Sequence, residues 1–400
     1  MKYRLLLCGL LLSFLSFGQW NVVYTGNQPI YDIQFVNNIV AYAVGDSTFL
    51  KSTDGGNTWV DMKANIVGTP PSFEVVYFLD ANTGFIGRTD ITGSPNLLKT
   101  IDGGQNWTNV SSPAMNQGVS NVFFTSANIG YATGGVGAGN AFATTVDGGQ
   151  TWTALTTPSM AASTALFFVN DSIGFSGSTE IAKTVDGGKN WQQVNMTPLS
   201  NGNTIADILF TSASVGYALT YNGSVILKTV DGGNNWSTVT AGSSGALAKA
   251  IGFATPNTGY AVGLTLTKPL ITTNRGTTWN ADTSFPSGLA AFSLSAGNGK
   301  VLIGTMGGEI VLKTNIATGV NKVVNSPIDI FPNPVKENAL EFINPMGYAL
   351  NVSVYDVLGK VVASETGVVN KMTIQLPAAV YYFTVQIKET GERYSKKNCG

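Results

Sequence analysis

The sequence contains no histidine, and only 11% of its 400 residues are charged. Histidine is the usual general base near neutral pH and the commonest metal ligand, so its absence argues against many catalytic and metal sites. The formal net charge is −1, which argues against a partner with a phosphate backbone. No metal, no cofactor and no nucleic-acid partner are therefore predicted.

Cysteine is almost as rare, with two residues in the chain. The first, Cys8, lies in a segment with the features of a secretory signal peptide, because Lys2 and Arg4 flank the start of an apolar run over residues 5–17. That run is too short to span a bilayer. We predict that residues 1–18 are a signal peptide and that its removal leaves neither a disulfide bond nor a membrane span.

What the sequence does contain is a repeated octapeptide, Ser/Thr-x-Asp-Gly-Gly-x-x-Trp. Five complete copies and a sixth degraded copy recur about every 40 to 50 residues. Their aspartate and tryptophan positions are Asp54 and Trp59, Asp102 and Trp107, Asp147 and Trp152, Asp186 and Trp191, Asp231 and Trp236, and, with asparagine in place of aspartate, Asn274 and Trp279. Short β-type runs separate the copies, so each repeat is predicted to be a four-stranded blade of a β-propeller.

Each residue type in the octapeptide has a structural task. The aspartate can accept backbone N–H groups in the turn that follows it, and the glycines allow the positive φ of a tight hairpin. The tryptophan can cover apolar surface at the edge of the blade. An aspartate that returns at one register in five copies is therefore interpreted as part of the scaffold and not as a catalytic or metal-binding group.

A seventh repeat can be read over residues 292–314, although its octapeptide is missing. The one tryptophan outside the octapeptides, Trp20, lies in an apolar segment that looks like a fourth strand without the first three. We predict that this strand completes the last blade and closes the ring, which removes both exposed sheet edges. The expected fold is all-β: a seven-bladed β-propeller over residues 19–318 with the N-terminal strand closing the last blade.

These repeats resemble those of the Asp-box, or BNR-repeat, propellers, a superfamily that includes sialidases, xyloglucan-degrading enzymes and photosystem II assembly factors. The resemblance covers about residues 20–318 and implies the propeller fold. It implies little about function, because one fold hosts many chemistries.

The repeat pattern stops at a predicted linker over residues 319–327. The sequence that follows, residues 328–400, resembles the type A C-terminal sorting domain of the type IX secretion system of Bacteroidota. The matching residues are Pro332, Asn333, Pro334, Tyr355, Asp356, Gly359 and Lys360. The resemblance implies a small β-sandwich, the type IX machinery as a partner, and a protein that passes through the periplasm of a Gram-negative cell and is secreted or displayed on its surface.

Candidate chemistry is expected on the propeller face opposite the octapeptide hairpins, at the mouth of the central channel. A sialidase needs several converging arginines, and residues 20–318 contain only Arg88 and Arg275, so sialidase activity is excluded. A hydrolase of neutral polysaccharides needs two carboxyl groups, for which Asp46, Asp90 and Glu180 are the loop candidates.

Loop acids are more commonly solvated turn residues, and this interpretation is preferred for all three. The leading hypothesis is a non-catalytic, monomeric, secreted or surface-displayed propeller that binds a protein or a glycan through its loop-rich face. The alternative is a glycoside hydrolase acting on neutral polysaccharide.

Overall fold

The structure is a computed structural model. It describes residues 19–66, 72–88, 96–112, 115, 118–134, 141–155, 165–197, 203–222, 225–239, 248–264, 266, 268–314, 316, 329–336, 339–343, 349–355, 360–368, 371–373, 380–388 and 393–399. Within these residues the fold is all-β, with a short 3₁₀ turn at Lys63–Asn65.

The N-terminal part forms sheets of short antiparallel strands. The first strand, β1 (Trp20–Thr25), belongs to the last of these sheets. The next four sheets in the chain are β2 (Ile30–Phe35), β3 (Ala41–Gly45), β4 (Thr48–Ser52) and β5 (Val60–Asp61); β6 (Val75–Phe78), β7 (Gly84–Gly87), β8 (Leu97–Thr100) and β9 (Thr108–Asn109); β10 (Asn121–Phe124), β11 (Gly130–Gly134), β12 (Ala141–Thr145) and β13 (Thr153–Ala154); and β14 (Ala165–Phe168), β15 (Gly174–Gly177), β16 (Ile181–Thr184) and β17 (Gln192–Gln193).

Three further sheets follow before the C-terminal part, so the described residues up to Lys313 hold seven. They are β19 (Ile205–Phe210), β20 (Gly216–Thr220), β21 (Ile226–Thr229) and β22 (Asn235–Val239), with β18 (Asn195–Met196) added in parallel to β22; β23 (Ala250–Phe253), β24 (Gly259–Val262), β25 (Leu270–Thr272) and β26 (Asn280–Ala281); and β27 (Ala291–Gly297), β28 (Lys300–Thr305) and β29 (Glu309–Lys313), completed by β1. The repeated four-stranded sheets confirm the predicted blade pattern.

The first strand of each sheet contacts the first strand of the next sheet. The contacts run from β2 to β6, β10, β14, β19, β23 and β27, and β27 in turn contacts β2. The apolar core lies between successive sheets, where aromatic rings from both sides pack edge to face. Trp152 of the third sheet, for example, lies 6.1 Å from Phe85 of the second and 5.9 Å from Phe124 of its own, measured between ring centroids.

The octapeptide aspartates hold the turn that follows them. Asp147 accepts the backbone N–H groups of Gln150 and Thr151, both at 3.0 Å, through Oδ1, and the Thr151 hydroxyl through Oδ2 at 2.6 Å. Gly148 and Gly149 have φ values of 71° and 76°, a conformation that glycine adopts without strain. These hydrogen bonds stabilise the ionised carboxylate and lower the pKa of Asp147 below its ordinary value.

The other octapeptides use the same hydrogen bonds. Asp54, Asp102, Asp186 and Asp231 each accept a backbone N–H from the residue four positions later. In the degraded copy, Asn274 Oδ1 still accepts the N–H groups of Thr277 and Thr278, at 3.1 and 3.0 Å, because an amide oxygen serves as well as a carboxylate oxygen here.

A lysine on the third strand joins each of four sheets to the octapeptide turn of the next sheet. In each case the ammonium donates to a backbone carbonyl: Lys51 to Gly103 at 3.1 Å, Lys99 to Gly148 at 2.8 Å, Lys183 to Gly232 at 2.8 Å, and Lys228 to Arg275 at 2.7 Å. Each ammonium also lies 5.3 to 5.8 Å from the centroid of an aromatic ring on the second strand of its own sheet. These lysines therefore connect neighbouring sheets as well as covering the rings.

Strand β1 pairs antiparallel with β29, at the opposite end of the repeat region. The first strands of the first and seventh sheets each contain a bulge at the equivalent place. Counted from that bulge across the strand pairs, Trp20 aligns with Trp59, and Lys313 aligns with Ser52. Trp20 thus occupies the place of an octapeptide tryptophan in a sheet that has no octapeptide.

Trp20 lies at the contact between the sixth and seventh sheets. Its ring centroid is 5.6 Å from that of Tyr260 and 5.2 Å from that of Phe285. Its indole N–H donates to Asp282 Oδ2 at 3.0 Å, and Lys313 Nζ lies 3.1 Å from the same oxygen. Asp282 and Lys313 are 6% and 8% exposed, so this is a buried ion pair. We call Trp20, Asp282 and Lys313 the seam cluster.

The C-terminal part forms two more antiparallel sheets. One contains β30 (Asp329–Lys336), β31 (Ala339–Ile343) and β34 (Lys371–Thr373), and the other contains β32 (Leu350–Tyr355), β33 (Val361–Val368), β35 (Val380–Ile387) and β36 (Arg393–Cys399). Of the predicted sorting-motif residues, Pro332, Asn333 and Pro334 lie within β30, Tyr355 ends β32, and Lys360 precedes β33, whereas Asp356 and Gly359 lie outside the described residues.

Across the described residues, no helix has the length and apolar character needed to cross a membrane.

Candidate functional site

The structure describes two of the three predicted loop acids. Asp46 follows β3, pairs with Ser72 through an isolated bridge, and accepts a hydrogen bond from the Tyr31 hydroxyl at 2.9 Å. Glu180 is exposed in the turn between β15 and β16. Asp90 lies outside the described residues. Asp46 and Glu180 belong to the first and fourth sheets, and no hydrogen bond or ion pair among the described residues joins them, so a paired catalytic role for them stays a prediction.

A different group, of polar side chains and one phenylalanine, converges from five sheets, on or next to the first strands. It contains Tyr31 and Asp32 of the first sheet, Glu74 of the second, Asp207 of the fifth, Lys249 of the sixth and Phe292 of the seventh. We call these six residues the axial cluster. Sequence reasoning missed them because it looked for functional acids in loops, whereas these residues are embedded in or adjoin strands.

Tyr31, Glu74, Lys249 and Phe292 occupy equivalent positions. Tyr31, Glu74 and Lys249 each lie four residues before the residue that pairs with the start of the second strand of their sheet. Phe292 occupies the same bulge position in the first strand of the seventh sheet as Tyr31 does in the first sheet. All four are partly buried. Their equivalence places these four side chains at one end of the first strands. Asp46, which follows β3, lies beside Tyr31 and accepts a hydrogen bond from its hydroxyl.

Asp32 and Asp207 accept backbone hydrogen bonds in the same pattern. Asp32 Oδ1 accepts the N–H of Ile33 and its Oδ2 accepts the N–H of Val76 on the second sheet, both at 2.9 Å. Asp207 repeats this arrangement with Ile208 and with Ile251 of the sixth sheet, at 2.8 and 2.9 Å. Each carboxylate therefore ties two neighbouring sheets together and has little freedom to move.

Burial dominates the acid–base properties of these two carboxyl groups. It raises the pKa of Asp32 to about 6 and that of Asp207 to about 7, because the ionised form loses solvation. The backbone N–H donors and the positive charge of Lys249 oppose this effect at both positions. Burial also raises the pKa of Glu74, with Lys249 lowering it and the charge of Asp46 raising it.

One aromatic side chain of the cluster, Phe292, contacts the cation of the cluster, Lys249. The ammonium of Lys249 lies 5.7 Å from the centroid of the Phe292 ring. The Tyr31 ring packs against Phe292 at 6.0 Å between centroids. Burial and the hydrogen bond to Asp46 raise the pKa of Tyr31 to about 12, so its hydroxyl remains a donor throughout the physiological range.

A sequence signal for part of the cluster does exist. The segments 30–33 and 205–208 both read Ile-x-Asp-Ile, at the same register of two repeats. An aspartate inside an apolar first strand is costly unless its oxygens are paired. Its recurrence therefore marks a position where backbone donors from a neighbouring sheet are available.

The pH dependence of stability should report Asp32 and Asp207, which are partly buried. Because their folded-state pKa values lie above the ordinary value of 3.8, the folded protein holds protons that the unfolded chain has already released. The stabilising contribution is thus complete below about pH 4 and is lost as the pH rises through about 6 and about 7. For Asp32 the loss amounts to roughly 3 kcal/mol.

Urea unfolding of the wild type and of Asp32→Asn, each at about pH 5 and about pH 7.5, measures this effect. The amide side chain introduced by this substitution does not titrate, so the variant should lose less stability between the two pH values than the wild type. Equal losses would contradict the assignment.

Among the described residues, no group of three or more cysteine and acidic side chains is arranged to hold a metal ion. A shallow groove of about 450 Å³ lies at the rim between the first and second sheets, with Thr58, Asp61, Asn65 and Gln105 among its lining residues. Lys63 pairs with Asp61 across 3.1 Å, and both side chains are largely exposed.

The repeated four-stranded sheets and the octapeptide turns define a β-propeller fold. Protein-family models support a narrower assignment. The model of "Photosynthesis system II assembly factor YCF48" matches residues 13–115 and 113–250, and that of "Secretion system C-terminal sorting domain" matches residues 329–398. The chain belongs to the YCF48-type propeller family and ends in a secretion sorting domain, so both predicted resemblances are confirmed.

Solved structures show the same fold at low sequence identity. A structure of YCF48 bound to D1 peptide is 19% identical, with a TM-score of 0.58 over 75% of this chain and 98% of the other. PorZ of Porphyromonas gingivalis, an essential surface component of the type-IX secretion system, is 15% identical with a TM-score of 0.56, over 95% and 60% of the two chains. The GH74 enzyme of Niastella koreensis is 14% identical with a TM-score of 0.56, over 94% and 60%. A comparison with curated proteins found no match.

Proposed function

We propose that this protein is a secreted or cell-surface, non-catalytic propeller that binds a segment of another protein, or a glycan, at the axial cluster. It acts as a monomer, and it reaches the outside of a Gram-negative cell by way of the type IX machinery, which recognises residues 328–400. The match of residues 329–398 to a secretion sorting domain supports this route.

The proposed architecture is a closed ring of seven blades. Two observations support closure: β27 contacts β2, and β1 from the start of the chain pairs with β29 from the end of the repeats. In a closed ring the first strands surround a central channel, and the axial cluster lies at its mouth. Sites of this kind, concave and lined by a few convergent polar groups, are where ligands most often bind.

The observation that carries the non-catalytic proposal is the hydrogen bonding of the partly buried Asp32 and Asp207. Both oxygens of Asp32 and both oxygens of Asp207 already accept backbone N–H groups. A general acid or base needs a free approach to its substrate, whereas Asp32 ties the first sheet to the second and Asp207 ties the fifth sheet to the sixth. The remaining members of the cluster, Tyr31, Glu74, Lys249 and Phe292, offer contacts that a ligand can use.

A protein segment as the ligand is supported by the structural relative, YCF48, that was solved with a bound peptide. The alternative, hydrolysis of a neutral polysaccharide by Asp46, Asp90 or Glu180, draws its support from the likeness to a GH74 enzyme. Such an enzyme requires two carboxyl groups about 5 to 9.5 Å apart, flanking the sugar linkage.

Binding and hydrolysis can be separated with one preparation of the mature protein. Peptide and oligosaccharide arrays measure binding, and reducing-sugar release over a panel of neutral polysaccharides measures hydrolysis. We expect binding without sugar release, and loss of binding in Phe292→Ala but not in Gln105→Ala at the rim groove. Sugar release that disappears in Asp46→Asn or Asp90→Asn would establish the hydrolase instead.

A further inference from the structure

The axial cluster already accommodates a cation. The Lys249 ammonium lies over the face of Phe292, 5.7 Å from the ring centroid, and Tyr31 packs beside that ring. No carboxylate among the described residues lies within 4.0 Å of Lys249 Nζ. The lysine is therefore held by the aromatic face and by the surrounding field, not by a direct ion pair.

Acidic groups outnumber this cation. Asp32, Asp207 and Glu74 are all close enough to Lys249 for its charge to lower their pKa values. Three carboxyl groups thus share one ammonium. The negative charge of Asp46 raises the pKa of Glu74. Glu74 forms no ion pair within the described residues and lies at the equivalent of the Lys249 position on its own strand.

We infer that the mouth of the axial cluster recognises a positively charged group, the ammonium of a lysine or the guanidinium of an arginine in a partner's exposed segment. Lys249 stands in for that group in the free protein. The ligand cation would take the place of the Lys249 ammonium over Phe292 and would face Glu74, with Tyr31 and Asp46 closing one side. This inference rests on the proposed function, because it specifies the chemistry of a ligand at the same site.

The choice of a cation over an anion follows from charge and from the aromatic face. An anionic ligand would face several carboxylates and gain one ammonium, whereas a cationic ligand gains those carboxylates. An aromatic face attracts cations and repels anions because of the ring quadrupole. Lys249 is then a competitor for the ligand, and its removal should strengthen binding. If Lys249 were instead the anchor of an anion, its removal would abolish binding.

The test uses the mature protein and a fluorescein-labelled peptide with two lysines separated by glycine and serine, and the same peptide with both lysines acetylated. Acetylation keeps the length and removes the charge. Fluorescence polarisation at low salt should give a dissociation constant at least about tenfold higher for the acetylated peptide. Glu74→Gln should raise the dissociation constant of the basic peptide about tenfold, and Lys249→Met should lower it several-fold.

Asp61→Asn is the matched control, because it removes one negative charge from the rim, where Asp61 is exposed, and should leave the dissociation constant unchanged. Equal binding of the acetylated peptide, or loss of binding in Lys249→Met, would overturn the inference. Binding of a neutral glycan or an acidic peptide to the wild type, with loss of that binding in Phe292→Ala, would also overturn the inference. The proposed function would still stand in that case. Failure of every probe to bind would contradict both.

Discussion

Replacing Asp282 with alanine is expected to lower the free energy of unfolding by about 3 to 5 kcal/mol. The substitution leaves the Lys313 ammonium buried without its counter-charge and leaves the Trp20 indole N–H without its acceptor, since both bond to Asp282 Oδ2. Urea or thermal unfolding of the isolated protein, followed by tryptophan fluorescence, measures the loss.

The exposed pair of Lys63 and Asp61 provides the control for this substitution. Its nitrogen–oxygen distance is also 3.1 Å, but its side chains are 55% and 41% exposed, and such pairs contribute at most about 1 kcal/mol. Asp61→Ala should therefore change stability little. A loss from Asp282→Ala no larger than that from Asp61→Ala would contradict the role of the seam cluster.

A double substitution tests the seam cluster by replacing both charged partners at once. At the five other contacts between consecutive sheets, the position of Asp282 is apolar and that of Lys313 is threonine: Met62 with Thr100, Val110 with Thr145, Leu155 with Thr184, Val194 with Thr229, and Val239 with Thr272. Asp282→Val combined with Lys313→Thr recreates this arrangement. It should recover much of the stability that Asp282→Ala loses, because replacing both partners of a buried pair removes the desolvation cost of each.

Deletion of residues 325–400 is expected to abolish export beyond the outer membrane. In a host with a working type IX system, the truncated propeller should collect in the periplasm, because it lacks the segment that matches a secretion sorting domain. Immunoblots of periplasm, cell surface and medium, compared with those of the full-length protein, measure the distribution.

Two controls make the export result interpretable. Protease resistance of the periplasmic product shows whether the truncated propeller is folded, and residues 325–400 fused to an unrelated periplasmic protein should carry it outward. Normal release of the truncated propeller would show that export does not depend on this domain.

The sequence was most informative where a short motif determines its own geometry. An aspartate followed by two glycines and a tryptophan needs only local backbone donors to form its turn, so Asp147 could be placed in a hairpin without knowledge of the rest of the fold. The same holds for Trp20, whose flanking apolar residues indicate a strand that lacks neighbours in the sequence. The structure pairs this strand with β29.

Sequence reasoning was least informative where distant strands meet. Asp32 and Asp207 lie 175 positions apart in numbering, and only the arrangement of the first strands reveals that Lys249 influences both. Local similarity also misleads at the seam. Lys313-Thr314 looks equivalent to Lys51-Ser52, but the strand register shifts the alignment by one residue. Lys313 therefore points to Asp282 and not to an octapeptide turn.

The pairing of β1 with β29 has a consequence for the order of events in the life of the chain. Trp20 and Lys313 pair across two strands that lie near opposite ends of the repeat region in the sequence. Contacts between residues so far apart in the sequence form slowly. In a chain that enters the periplasm N-terminus first, β1 arrives long before the strand that completes it. The last sheet then forms only when the repeats up to β29 have been translocated, so the fold itself delays its completion until nearly all of the repeat region has emerged.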